Sequence, residues 1–532
     1  MLKVSNVRAP IGVADDEIKS YIARALRVPA DALGDVRILR KALDVRDKSR
    51  LEHVFTAAVD VADEQRLLGK RRTANVAAFV PRAFEWPNPG TEPLNHRPII
   101  VGAGPAGLFA ALYLAKHGYE PLLLERGSAV SDRIPDVKAF DSGGPLDPES
   151  NYLFGEGGAG TFSDGKLTCR STGPDADEAL RVFAASKGKP SVVYEAKPHL
   201  GSNRLPAVVK SLRRQIVEAG GEIRFGALVE DLQVESGRLN GLIANSETIP
   251  AEAVVLAVGH SARDVYRMLE RRGVPMSPKP FQLGLRIEQP QANVTRAQYG
   301  TPALESILGP ADYSLNVRAG DADLFTFCMC AGGYVMPSVS QHGYFCTNGM
   351  SRSKHESPFA NSGLVTTIDP TKLDAKFGRD ALAGMRYQES LEQAAYEVGA
   401  GAYVAPIQWA RDFLDQKKSS SCPTTHPRGA VTTNFWEWLP TPLCETLARG
   451  LPIMDRRWNG LFLKDATLVG PEARGSSPIR IDRDPVSMQS PGLQGLYPIG
   501  EGAGFAGGIV SAAIDGIRVA RILASRYAPM RR

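Results

Sequence analysis

The stretch Pro98-Ile99-Ile100-Val101-Gly102-Ala103-Gly104-Pro105-Ala106-Gly107-Leu108-Phe109 decides the fold. Ile99 to Val101 reads as a short apolar strand, and residues 108–116 read as a helix closed by Gly118. A second strand over residues 119–124 ends at Glu125. This frame is a βαβ unit suited to a dinucleotide. Gly102 makes the tight turn, Gly104 lets backbone amides approach a pyrophosphate, and Gly107 lets the helix lie close to the sheet. The pyrophosphate takes the helix N-terminus, where free amides and the helix dipole favour an anion. Ala103, Pro105 and Ala106 complete the loop. The Glu125 carboxylate is expected to accept hydrogen bonds from both ribose hydroxyls, which favours an adenosine without a 2′-phosphate.

The same glycine spacing recurs twice in other surroundings. Gly155-Glu156-Gly157-Gly158-Ala159-Gly160-Thr161 has no strand-and-helix frame. A loop so rich in glycine offers amides to a flat polar ligand at close range, and Lys166 supplies positive charge beside it. Gly500-Glu501-Gly502-Ala503-Gly504-Phe505-Ala506-Gly507-Gly508-Ile509 follows a strand over residues 496–499 and precedes a helix over 509–524. Too few residues remain beyond that helix for another dinucleotide fold. The segment is therefore expected to return to the first unit and point a helix N-terminus at its ligand, where it would stabilise negative charge.

Composition sets the outer bounds. A chain of 532 residues holds about three to four domains at ~100–200 residues each. It carries 52 glycines, where an average share of ~7% gives roughly 37, and the surplus sits largely in these loops. With 43% apolar and 23% charged residues the chain is globular, neither fibrous nor disordered. A net charge of +5 is too mild to imply a nucleic-acid or membrane field. The six cysteines form no C-x-x-C pair and no zinc spacing. Cys328 and Cys330 would share one face of a strand and read as buried thiols rather than a redox couple. The N-terminus has no secretory pattern, and the uncharged run 98–115 is broken by glycine and proline, so a soluble cytoplasmic protein is expected.

The chain divides into an N-terminal module over residues 1–95, a dinucleotide-binding part over 96–278, an inserted α+β substrate or cap domain over 279–455, and a C-terminal return over 456–532. The first block reads as β-α-β-β, which suits a small ferredoxin-like module. Its basic residues Arg37, Arg40, Lys41, Arg46, Lys48 and Arg50, then Lys70, Arg71 and Arg72, suit a solvated face better than an RNA surface, because no stacking aromatics accompany them. Residues 84–90 read as a proline-rich linker.

At this point the chain resembles a known group. Residues 98–127 look like the FAD-binding βαβ unit of the glutathione-reductase-like flavoproteins. Ala253-Val254-Val255-Leu256-Ala257-Val258-Gly259-His260 is similar to that group's second nucleotide-side strand, with Val258 at a position usually held by threonine. Gly500-Glu501 stands where many relatives carry Gly-Asp beside the ribityl chain. Residues 155–167, 279–290, 348–362, 472–484 and 500–516 resemble a family of bacterial and plastid FAD-dependent dehydrogenases. The resemblance covers most of the chain. It implies bound FAD, a split FAD domain of Rossmann type and an inserted substrate domain, and it supplies no substrate. Arg126 and Val229 complete the expected cofactor-binding set.

The expected activity is that of an FAD-dependent oxidoreductase passing hydride through flavin N5 to or from a small or hydrophobic metabolite. Its alternatives are a flavin monooxygenase and an FAD-containing RNA-modifying or RNA-binding protein. No nucleotide fingerprint remains for NAD(P)H, which would act only as a transient electron donor. Lys166 and Arg474 are the catalytic candidates. Arg474 or Arg480 would hold a substrate carboxylate or the flavin edge, or else pair with Asp482 or Asp484. Asn348 to Arg352, with Asn361 and Ser362, are expected to line the substrate cleft. His117 and His260 read as cap or turn residues. His199, His342, His355 and His426 lie in loops without a partner that sequence can assign.

Overall fold

The computed structural model describes residues 1–69, 75–81 and 83–530. At its centre is a five-stranded parallel sheet in the order Leu496–Pro498, Val254–Leu256, Ile99–Val101, Leu122–Leu124, Glu222–Arg224. The four strands before Glu222–Arg224 in this order are buried at every residue, as expected where both faces of a parallel sheet are covered. Successive side chains point to opposite faces. Ile100, Leu123 and Val255 pack with the helices Pro105–Lys116 and Ile509–Arg526, whereas Ile99, Val101, Leu122 and Val254 pack beneath an antiparallel meander, Val229–Glu235, Arg238–Ala244 and Glu247–Pro250.

The helix Pro105–Lys116 starts with proline in its first turn and carries no charged residue before Lys116, so it can be buried all round from Ala106 to Ala115. It packs closely on Ile509–Arg526: a Cβ on Gly516 would fall 2.2 Å from the Ala106 carbonyl oxygen. The strand Leu496–Pro498 pairs in parallel with Val254–Leu256, so the C-terminal segment returns to the first sheet.

A seven-stranded sheet forms the second layer system, in the order Asn316–Ala319, Ala322–Cys330, Phe359–Ile368, Phe281–Pro290, Thr467–Glu472, Ala405–Trp409, Ala430–Thr432. It runs past the expected boundary at residue 455, which falls inside the helix Thr441–Arg457. Thr467–Glu472 is fully buried and pairs with Phe281–Pro290 on one side and Ala405–Trp409 on the other. Cys328 and Cys330 do not share a face. The ladder shifts register between Phe327 and Cys330, Cys328 sits at φ 44°, and its side chain is exposed while that of Cys330 is buried.

The N-terminal block adds a second helix and a fourth strand to the expected β-α-β-β series. Its sheet runs Leu33–Asp44, Glu52–Val61, Leu2–Pro10, Val76–Ala78, with helices Ile18–Leu26 and Glu64–Gly69. Lys70, Arg71 and Arg72 lie outside the described residues. The proline-rich linker is not a free spacer. Trp86 stacks on His117 with ring centroids 3.9 Å apart, and the Gly90 amide donates to the Ala524 carbonyl at 2.8 Å. Among the described residues, no helix is long and apolar enough to cross a membrane.

Candidate active site

All three glycine segments line one cavity of ≈ 1350 Å³. In the first, each glycine has its own reason. Gly102 is at φ 103° and Gly107 would place a Cβ 1.9 Å from the Gly102 carbonyl oxygen, so both are required by the turn and the packing. Gly104 is at φ −72° with no protein atom within 4 Å of its would-be Cβ. Its missing side chain leaves open space at the start of the helix Pro105–Lys116, where the unpaired amides of the first turn gather.

Glu125 is used differently from the expectation. Its Oε2 accepts the Ala103 amide at 2.7 Å, and its Oε1 accepts those of Gly127 and Gly155 at 2.9 Å each. Three of about four lone-pair positions on the carboxylate are thereby filled by backbone, which leaves room for a single ribose hydroxyl. Glu125 therefore ties the first glycine loop to the second. The Gly157 amide also donates to the Ala103 carbonyl at 2.8 Å, and Gly158 lies against the Gly104 Cα. Ala103, Gly107, Gly157 and Thr161 stand behind the lining and shape the loops; Gly102, Gly104, Pro105, Ala106, Gly158, Ala159 and Gly160 face the cavity.

Arg133 was not singled out by sequence. It is fully buried in the helix Val130–Asp141, and it donates to the carbonyls of Asn151, Glu156 and Gly158 at 2.8, 2.8 and 2.9 Å. It holds the second loop from behind. Arg126 lines the cavity, but its guanidinium binds Glu149 at 2.6 and 2.9 Å and Asp264 at 3.0 Å. Val229, Ala257, Val258 and Gly259 form another wall, and Gly500, Glu501, Gly507, Gly508 and Ile509 close it. The Gly500 amide is anchored on Asp515 at 2.8 Å. Gly259, Gly507 and Gly508, like Gly104, would carry a Cβ into empty space. His260 is more than a turn residue, since its Nδ1 lies 3.3 Å from Glu501 Oε1.

The rest of the lining is mixed: apolar residues such as Leu308, Phe327 and Met329 stand beside a polar group drawn from distant loops. Lys166 Nζ lies 2.6 Å from Asp164 Oδ2 and also donates to the Met329 carbonyl. Burial opposes the charge on each of these two groups and is outweighed by their neighbours. The Lys166 ammonium is held well above its ordinary range by the thiol and carboxylate groups around it. The Asp164 carboxyl is held well below its own by Lys166 and His199. His199 Nε2 is 3.2 Å from Asp164 Oδ1 and 3.0 Å from Ser351 Oγ, and Ser351 in turn donates to Asp164. The His355 ring lies 4.2 Å from that of His199, and burial pulls its pKa down. Asn348 and Gly349 line the cavity as expected for the cleft, whereas Asn361 and Ser362 are buried in hydrogen bonds to Arg286 and to backbone.

Arg474 reaches the cavity but has no guanidinium edge free for a substrate carboxylate. Its Nε and Nη2 donate to Glu392 at 3.0 and 2.7 Å, and its Nη1 donates to Ser340 at 3.0 Å. Arg263 binds the other side of the same carboxylate at 2.9 and 2.7 Å. The two guanidiniums outweigh burial and pull the Glu392 carboxyl down to about 2. Neither Asp482 nor Asp484 is its partner. Arg480 is exposed and sits 5.3 Å from the Phe505 ring centroid, away from the cavity.

These features define a dinucleotide-binding α/β protein whose glycine loops frame a large chamber shared with a second sheet. Residues 280–475 match the family described as FAD-dependent protein, C-terminal domain-like, and residues 100–159 match the NAD(P)-binding Rossmann-like domain. A protein of Clostridium beijerinckii, described as uncharacterized, is 37% identical over 531 residues, 99% of each chain. The chain belongs to the same family as that protein. A thiamine thiazole synthase of Aeropyrum pernix is 29% identical over 197 residues, 34% of this chain and 60% of that one. The solved glycine oxidase of Geobacillus kaustophilus aligns over 82% of this chain and 96% of its own, at 13% identity and a TM-score of 0.36.

Proposed function

We propose that the protein is a glutathione-reductase-like FAD-dependent dehydrogenase or reductase acting on a small or hydrophobic metabolite, with NAD(P)H at most a transient visitor. The observation that carries this reading is the convergence of three glycine loops on one cavity, with four glycines whose missing side chains keep it open. The donor set fits FAD. Gly104 to Ala106 and the following helix start would hold the pyrophosphate. Glu125 would take one adenosine ribose hydroxyl, Val229 and Gly259 would flank the nucleotide, and Glu501 would meet the ribityl chain. The helix beginning at Ile509 would favour negative charge on the ring system. FAD supplies two-electron hydride chemistry when bound; the chain supplies orientation and charge. Lys166, kept protonated by Asp164, places a fixed cation beside the chamber.

The N-terminal block, read as ferredoxin-like, supports a wall of the chamber better than an RNA surface. Arg46, Arg50 and Lys41 are each paired with a carboxylate, at 2.6, 2.9 and 2.6 Å. Purified protein is expected to carry about one flavin per chain, visible as yellow colour, and to be bleached anaerobically by some member of a metabolite library. Colourless protein that takes up no added FAD would refute the reading. Rapid formation of a peroxyflavin spectrum with oxygen would instead favour a monooxygenase.

A further inference from the structure

Two histidines that the flavin reading leaves unused, His199 and His355, meet Asp164 at the cavity. We propose that Asp164, His199 and His355 form a site for one divalent transition-metal ion. Each offers one ligand atom, and these atoms all lie within 4.8 Å of one another. All three residues line the cavity, so an ion held by them would keep open positions facing it. Two imidazoles and one carboxylate suit Fe²⁺, Mn²⁺, Co²⁺ or Zn²⁺ rather than Ca²⁺ or Mg²⁺, which prefer oxygen ligands throughout.

The surroundings are built in the manner of a metal site. His355 Nδ1 lies 2.8 Å from the Ala331 carbonyl oxygen. A carbonyl only accepts, so the proton sits on Nδ1 and Nε2 keeps a bare lone pair, the outer-shell arrangement that orients most metal-bound histidines. Lys166 holds Asp164 through Oδ2, leaving Oδ1 toward His199 and Ser351. His199 Nδ1 is buried without any hydrogen-bond partner. Nδ1 is thus the ring nitrogen not committed to a protein group, while Nε2 lies near Asp164 and Ser351. The Lys166 ammonium weakens the site relative to a carboxylate free of other charge, while fixing the orientation of that carboxylate. An ion here would act as a Lewis acid on a substrate carbonyl or carboxylate oxygen entering the chamber.

The test uses the full chain with its flavin content measured, after treatment with a chelator. Co²⁺ titration followed by visible absorption, and Zn²⁺ titration against a chromophoric chelator, are expected to give one equivalent per chain. His355→Ala and His199→Ala should each weaken binding by at least ~10-fold with flavin content unchanged, since even outer-shell changes cost that much. His355→Cys should retain Co²⁺ and add a thiolate charge-transfer band, which keeps the test decisive if the alanine variant does not fold. Absence of a stoichiometric site in the parent, or unchanged affinity in His355→Ala, would overturn the proposal. So would bound Co²⁺ without that band in His355→Cys. Because flavin content is read separately, failure here is distinct from failure of the flavin assignment.

Discussion

Gly104→Ala and Gly107→Ala add the same methyl group three residues apart and are expected to fail in opposite ways. At Gly107 the methyl carbon would sit 1.9 Å from the Gly102 carbonyl oxygen and 3.2 Å from Ile100 Cγ2, whereas real Cβ contacts stay beyond 3.0 Å. The helix must move about 1 Å off the loop, an overpacking cost of ~1–3 kcal/mol or more. Better helix propensity offsets at most about 1 kcal/mol of that. At Gly104 the backbone is in an ordinary region and no protein atom lies within 4 Å, so the fold loses no more than ~1 kcal/mol of capping energy. The methyl instead occupies the space through which a phosphate would reach the helix amides. We expect Gly104→Ala to keep the urea midpoint of the flavin-free protein and to lose at least ~10-fold in FAD affinity, about 1.4 kcal/mol. Gly107→Ala should lower both. Affinity would be measured by fluorescence titration of flavin-free protein and stability by urea unfolding. Full FAD affinity in Gly104→Ala, or an unchanged midpoint in Gly107→Ala, would refute the division of labour between the two glycines.

Glu392→Gln should destabilise the protein by about 3–5 kcal/mol, because it leaves Arg263 and Arg474 facing each other in the interior without their shared anion. An unfolding midpoint equal to the parent's would show that the triad contributes little. His426 is buried, and burial lowers its pKa to about 4 from an ordinary value near 6.5. The unfolded chain therefore binds the proton first, so stability is intact above pH ~6.5 and falls by about 3 kcal/mol as the pH drops toward 4. His426→Gln should remove that part of the acid dependence in urea midpoints taken at pH 7.5 and 4.5, and an unaltered slope would sink the assignment.

Where the chemistry depends on local spacing, it could be read in the sequence. Gly102, Gly104 and Gly107 have their roles written into six consecutive positions, and the strand–helix frame around them is local as well. The third glycine segment is legible for a related reason, since a strand precedes it and a helix follows it within a few residues, and Leu496–Pro498 pairs in parallel with Val254–Leu256 of the first sheet. The side-chain partners were not legible. Arg474 has two aspartates nearby in sequence, yet it binds Glu392, 82 positions away, because a helix of the second sheet system carries that carboxylate into the interior. Lys166 lines the chamber, but its partner Asp164 takes its meaning from His199 and Ser351, which no periodicity links to it. Arg133 had no signal at all, since an arginine in a polar-looking helix reads as solvent-facing.

The N-terminal block shows how far a local reading can mislead about role. Composition makes it a separate basic module, and its sheet and core are indeed its own. Yet its edge strand joins the dinucleotide-binding part: the Lys41 amide donates to the Tyr194 carbonyl at 2.7 Å, and the Ala196 amide donates to the Lys41 carbonyl at 2.8 Å. Asp15 fastens the same corner, accepting from Lys41 Nζ at 2.6 Å and from the Tyr194 hydroxyl at 2.8 Å. Through this seam Leu43, Val45 and His53 become part of the cavity wall, opposite in sequence to the loops that define it. An edge strand paired this way is no longer free to slip or to recruit another chain. The block is therefore part of the chamber wall, so Asp15→Ala, which removes the acceptor shared by Lys41 and Tyr194, should weaken FAD binding in a fluorescence titration more than it lowers the urea midpoint, and unchanged affinity would refute this.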